Sequence, residues 1–156
     1  MPRSNRSLLV RLGATLLAAV LVAGVALAVV DRRETEPTAA EAGETLKTHI
    51  LTLLNEVFAQ NIQITDAGGK DIPCPDDRVK RTFAATGLDS AEQTQPRTLN
   101  LQMLSALNEF ADYEMTGPGD QQFSVVSENT KTSLHLNSSE NGRYAVSGET
   151  DCLNPS

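Results

Sequence analysis

Residues 12–30 run for nineteen positions without a charge, preceded by Arg3, Arg6 and Arg11 and followed at once by Asp31-Arg32-Arg33-Glu34. As a helix such a run is about 28 Å long at 1.5 Å per residue, close to the hydrocarbon thickness of a bilayer. The leading arginines predict a cytoplasmic N-terminus. Two processing outcomes fit the segment. It is either a retained membrane anchor, or a signal segment cut after a small-x-small site such as Ala26-Leu27-Ala28. Both put the rest of the chain outside the cytoplasm, at the cell membrane as a single-pass protein or secreted. No cysteine stands near the end of the run to accept a lipid.

Charge is distributed unevenly. All twenty acidic residues follow the apolar run but only ten of the thirteen basic ones do, so the exported part carries −10 while the whole chain carries −7. That balance argues against nucleic acid as a partner, because such binding leans on Lys and Arg contacts to phosphate. It also repels anionic headgroups, which leaves the N-terminal helix as the expected link to the membrane.

The organisation expected is residues 1–30 as anchor or signal segment, 31–43 as a flexible linker, and 44–156 as one α+β domain. The linker is rich in Glu, Thr and Ala, with one proline and no apolar periodicity. Within the domain, Leu46, Ile50, Leu53, Leu54, Val57 and Phe58 recur at helical spacing and predict a helix over 44–60. Ile62 and Ile64 suggest a short extended stretch before the Gly68-Gly69 turn. Pro73-Cys74-Pro75 belongs on a rigid loop, since neither proline has an N–H to donate. A strand is predicted over 78–86, with Arg81 interrupting its apolar face. A second helix over 98–113 carries Leu99, Met103, Leu104, Leu107, Phe110 and Ala111, with Thr98 as its cap. The remainder reads as three strands, 122–127, 132–137 and 143–147, with Asn141-Gly142 as a left-handed turn pair. The fold class expected is two helices packed on one face of a mainly antiparallel sheet of about four strands, in the order α-β-α-β-β-β.

Cys74 and Cys152 are the two cysteines. In an oxidising compartment a pair without redox spacing is most simply one structural disulfide. The closing segment, in which Gly148, Thr150 and Cys152 alternate with other residues after a strand, resembles the C-terminal end of small secreted or membrane-anchored actinobacterial proteins of uncharacterised function. The resemblance implies export, this architecture and a bridge from Cys152 to the earlier loop, and it implies no activity.

Chemistry-bearing residues are sparse. His49 and His135 fall in separate elements and lack metal-ligand spacing. Asp66, Asp71, Asp76 and Asp77 gather around the Cys74 loop but do not follow a calcium-loop pattern and read as a solvated acidic face. Glu109, Asp112 and Glu114 read as surface carboxylates. Gly68-Gly69-Lys70 is not a phosphate loop, no nucleophile elbow occurs, and the Asn137-Ser138-Ser139 sequon is a chance match. No cofactor, metal or catalytic residue is expected. The leading functional expectation is an envelope domain that docks a protein partner through an apolar surface patch. The alternative is a small-molecule or cation binding module with a pocket between helix and sheet. An enzyme ranks third and would need His135 or a carboxylate cluster beside a cleft.

Overall fold

A capping box opens the domain. In the computed structural model, which describes residues 36–91, 95–117 and 122–156, the Glu41 N–H donates to Thr38 Oγ1 (3.2 Å) and the Thr38 N–H donates to Glu41 Oε2 (2.9 Å). Two of the four free amides at a helix start are thus satisfied reciprocally. Helix α1 accordingly spans Ala39–Glu56, five residues earlier than its apolar stripe predicts. Residues 39–43 belong to this helix and not to the linker. The apolar run and residues 31–35 of the expected linker lie outside the described residues. Among the described residues no helix is long and apolar enough to cross a membrane.

Helix α1 ends in a Schellman motif. The Phe58 N–H donates to Asn55 O and the Ala59 N–H to Leu54 O, both at 2.9 Å, with Phe58 left-handed at φ 55°. Glycine usually takes that position, because a Cβ there costs energy. The reversal turns Phe58 off the apolar stripe, so it is 76 % exposed and not the core residue its spacing suggests.

The next elements are β1 (Gln60–Asp66), β2 (Ile72–Pro73), β3 (Val79–Lys80), β4 (Thr82–Leu88), α2 (Pro96–Phe110), β5 (Glu114–Met115), β6 (Phe123–Ser127), β7 (Thr132–Leu136) and β8 (Arg143–Thr150). Strands β2 and β3 form a separate two-stranded ribbon, and the other six make one antiparallel sheet in the order β1-β4-β8-β7-β6-β5. The α+β class and the antiparallel sheet agree with expectation. The strand count does not: among the described residues the main sheet has six strands, not about four. Both additions sit at sheet edges, where the outer side makes no ladder and patterning is weak. β5 is only two residues long, and β1 is irregular, with register shifts on either side of Gln63 and Ile64.

Helix α2 starts two residues before Thr98. Gln95 takes the N-cap position but its side chain does not cap the helix, and Pro96 takes the first turn, where a missing N–H costs nothing. It stops at Phe110, so Tyr113 lies beyond it. The expected strand over 78–86 is interrupted at Arg81, whose N–H donates to Thr150 Oγ1 (3.0 Å) while its Nε pairs with Asp71 Oδ1 (2.7 Å). That break explains the charged residue in the apolar alternation.

Helix α2 carries the chain from β4 across the helical face to β5 at the far edge. The meander β5-β6-β7-β8 then returns, and the last strand inserts between β7 and β4. Both helices pack on one face of the sheet. Leu46, Ile50, Leu53, Leu54, Leu99, Met103 and Leu107 meet Phe83, Ala85, Val125, Leu134, Leu136, Tyr144 and Val146 in a single apolar core.

The C-terminal motif is a closure device. A Cβ on Gly148 would stand 2.6 Å from Ser133 O and 2.7 Å from Leu46 Cδ1, so only glycine lets α1 settle on the centre of the sheet. Thr150 holds the Arg81 break, and Cys152 is joined to Cys74 across 78 positions. Leu153 pairs both ways with Val79 and packs with Ala39 and Ala42 in a small second cluster. Asn154 O accepts the Ala39 N–H at 2.8 Å, which ties the chain's end to the start of α1.

Candidate functional site

A cleft of about 470 Å³ opens where the end of α1, the turn after β4 and the outer side of α2 converge. Helix α1 and its reversal contribute Glu56, Val57 and Phe58. The turn after β4 contributes Asp89 and Ser90, and α2 contributes Gln102, Ser105, Ala106 and Glu109 at three- and four-residue steps along one face. Tyr144 of β8 lies at the base, 1 % exposed. The volume falls in the range of ordinary small-molecule sites.

Two backbone features shape this end of the molecule. The Asp89 N–H donates to Gly142 O (2.8 Å), pinning the turn to the β7–β8 hairpin. Gly87 stands opposite Tyr144 in the ladder, and a Cβ there would lie 2.7 Å from Ala59 Cβ. Glycine at 87 therefore lets the segment leaving α1 come down onto the sheet beside the cleft.

The Tyr144 phenol oxygen is 3.0 Å from Asp89 Oδ1 and 2.8 Å from the Gln102 side-chain amide. A phenol has a single proton, so it cannot donate to two oxygens. Turning the amide places the Gln102 nitrogen on the phenol, and the chain of donation becomes Gln102 to Tyr144 to Asp89. Burial, with Asp89 beside it, pushes the phenol above its usual range. Tyr144 is therefore a neutral hydrogen-bonding group at physiological pH and not a base. Glu56, Asp89 and Glu109 give the cleft three carboxylates, and its described lining has no Lys, Arg or His.

The residues singled out by sequence are not brought together here, with the exception of Glu109. His49 sits edge-on to Phe110 (6.0 Å) and Tyr113 (5.7 Å), its Nδ1 3.0 Å from Tyr113 Oη. That hydroxyl continues to Thr132 Oγ1 at 2.7 Å, and Thr132 to Thr130 at 2.8 Å. Burial lowers the imidazole's proton affinity and raises the Tyr113 phenol. His135 is exposed on the sheet face away from the helices, its Nδ1 2.9 Å from Ser124 Oγ. The two histidines thus lie on opposite sides of the sheet.

The aspartates near Cys74 also separate by role. Asp66 accepts from Thr82 Oγ1 (2.6 Å) and the Gly68 N–H (3.0 Å), and these bonds lower its pKa. Asp71 is paired with Arg81, while Asp76 and Asp77 form the left-handed tip between β2 and β3. Asp112 accepts from Asn129 Nδ2 (3.2 Å), and Glu114 lies on edge strand β5. Among the described residues no three His, Cys, Asp or Glu side chains are grouped to hold a metal ion.

Sequence reasoning did not single out Glu56, Phe58, Asp89, Gln102 or Tyr144 as a site. The periodicity that assigns Phe58 to the core hides its exposure. The only local signal is its position at the end of a helical stripe with no glycine to end it. The chain matches no family model, no curated protein and no solved structure.

Proposed function

We propose that this chain is an extracytoplasmic binding module that takes a small molecule in the cleft between α1, α2 and β8. The observation that carries the reading is Phe58, a large apolar residue held left-handed and 76 % exposed at the cleft's edge. Folding gains little from a ring in that position, and strained, exposed side chains cluster at binding sites. The cleft adds volume, and the Gln102–Tyr144–Asp89 relay adds fixed polar groups at its base. The apolar run over residues 12–30 and the Cys74–Cys152 bridge support presentation outside the cytoplasm, on a membrane anchor or after release.

Amide chemical-shift titration with a mixed set of neutral, cationic and anionic fragments tests this directly. Shifts should concentrate at residues 56–58, 89–90 and 102–109, and Ala106→Trp, which fills the cleft, should remove them while the fold is kept. Absence of saturable shifts, or shifts indifferent to the filling, defeats the reading.

A second reading is a protein-interaction domain for an envelope partner, favoured by β1. This seven-residue strand is at the edge of the sheet, and its Ile64 is 52 % exposed. An added strand from a partner would pair there. Ile64→Lys should then abolish co-purification of that partner, and unchanged recovery counts against it.

A further inference from the structure

We infer that His49, Tyr113, Thr132 and Thr130 form a relay through which protonation of one imidazole on α1 reverses the hydrogen bonds that reach the β6–β7 turn. The device is separate from the cleft and does not depend on what the cleft binds. The four side chains are joined end to end: His49 Nδ1 to Tyr113 Oη at 3.0 Å, Tyr113 Oη to Thr132 Oγ1 at 2.7 Å, and Thr132 Oγ1 to Thr130 Oγ1 at 2.8 Å. They come from α1, the segment after α2, the start of β7 and the turn before it. Tyr113 and Thr132 are buried, so their hydroxyls must be satisfied within this chain of groups.

The direction of donation follows from a count. Three contacts join the four groups, and each of the three hydroxyls brings one proton. With Nδ1 accepting, every contact is filled: Thr130 donates to Thr132, Thr132 to Tyr113, and Tyr113 to His49. With a proton on Nδ1 the imidazole fills the first contact itself, Tyr113 and Thr132 turn round, and the Thr130 proton must point out of the chain. The neutral ring is therefore the Nε2–H tautomer, and a proton added at Nδ1 turns all three hydroxyls together.

The surroundings of the ring leave its state to the pH. Its neighbours one turn away on α1, Thr45, Leu46, Thr52 and Leu53, are uncharged. Phe110 of α2 and Tyr113 beyond it meet the ring edge-on. The strands beneath α1 contribute apolar side chains, the hydroxyls of Thr132 and Thr150, and Tyr144, whose phenol is engaged with Asp89 and Gln102. Burial raises the Tyr113 phenol, so it keeps its proton throughout. Asp112, next to Tyr113 in the chain, accepts from Asn129, and Glu128 of the turn pairs with Lys131 at 3.0 Å. Burial is the cause of the imidazole's lowered proton affinity, so the ring is neutral at pH 7 and takes its proton below its ordinary value of about 6.5. The receiving turn is held in an uncommon shape, with Lys131 left-handed at φ 55° and its carbonyl accepting the Asp151 N–H at 2.8 Å.

The test follows the full-length chain in a non-ionic detergent by NMR from about pH 8 to about pH 5, in a His135→Gln background so that a single imidazole titrates. Long-range imidazole nitrogen spectra should show Nδ1 bare and Nε2 protonated in the neutral ring. On acidification the amides of residues 130–132 should shift with the midpoint of the His49 ring. Tyr113→Phe keeps the ring and removes the hydroxyl; His49 should still titrate in it, while the response at 130–132 falls severalfold. Thr132→Val, which breaks the next link with little change of shape, should act in the same way. A neutral ring protonated at Nδ1 overturns the relay, as does a turn that ignores the His49 midpoint. Both of these readouts use the unaltered relay and stand whether or not a variant folds. An undiminished response at 130–132 in either folded variant also overturns it, because the signal then reaches the turn by another route.

Discussion

Replacing Phe58 by alanine and by glycine should give an order of stability opposite to that of a helix interior. At φ 55° any residue with a Cβ is strained by roughly 1–2 kcal/mol. Alanine keeps that strain and loses the ring. With 76 % of the residue exposed, the loss is a fraction of the ~2–3 kcal/mol that complete burial supplies, about 0.5 kcal/mol. Glycine removes the strain but adds unfolded-chain freedom costing roughly 0.5–1 kcal/mol. Glycine should therefore exceed alanine by about 0.5–1 kcal/mol, whereas in a right-handed helix it trails alanine by about 1 kcal/mol. Urea melts of the two variants and the parent measure this, and thermal melts should separate the variants by roughly 2–5 °C. Both variants lack the ring, so they should lose cleft binding to the same degree despite their different stabilities. Alanine equal to or better than glycine would refute the left-handed helix end, and with it the account of why the ring faces solvent.

Two further outcomes follow from the same structure. Replacing both Cys74 and Cys152 by alanine removes a constraint across 78 positions and should cost about 4 kcal/mol, lowering the melting temperature by roughly 10–20 °C; a drop of only a degree or two would mean that the hydrogen-bonded C-terminal tail already holds the closure. His49 has a lowered pKa because it is half-buried, so the unfolded chain binds its proton more readily. Its contribution is complete above the unfolded value of about 6.5 and is lost as pH falls through the lower folded value. Melting temperature followed from about pH 7.5 to about pH 5 should decline less steeply in His49→Gln than in the parent, and parallel slopes would remove His49 from the acid response.

Much of the architecture was legible because it depends on short-range periodicity. The stripes of α1 and α2 and the alternation in β6 and β7 reflect which side chains must leave water; the turn expected at Asn141-Gly142 is left-handed at Gly142 alone, not at both residues. What escaped was of two kinds. Edge strands β1 and β5 bury little, so β1 reads only as a short extended stretch at Ile62 and Ile64, not as a strand of the sheet, and β5 is not read at all. Boundaries set by hydrogen bonds were also missed: the Thr38–Glu41 capping box is readable as Thr-x-x-Glu but lies among small residues that resemble a linker. Phe58 failed for the opposite reason. Its spacing fits the stripe, and only the backbone reversal takes it out.

The chain by itself determined two amphipathic helices, a set of antiparallel strands and a cysteine pair suited to bridging, because each follows from local burial patterns or from residue chemistry. Tertiary structure alone decided that the last strand enters the middle of the sheet, which puts Gly148 beneath Leu46 and Tyr144 beside Asp89. It also assembled the cleft, drawing on residues as far apart as Glu56 and Tyr144. No local rule reaches across that separation, since the position of each side chain depends on how the helices lie over the sheet.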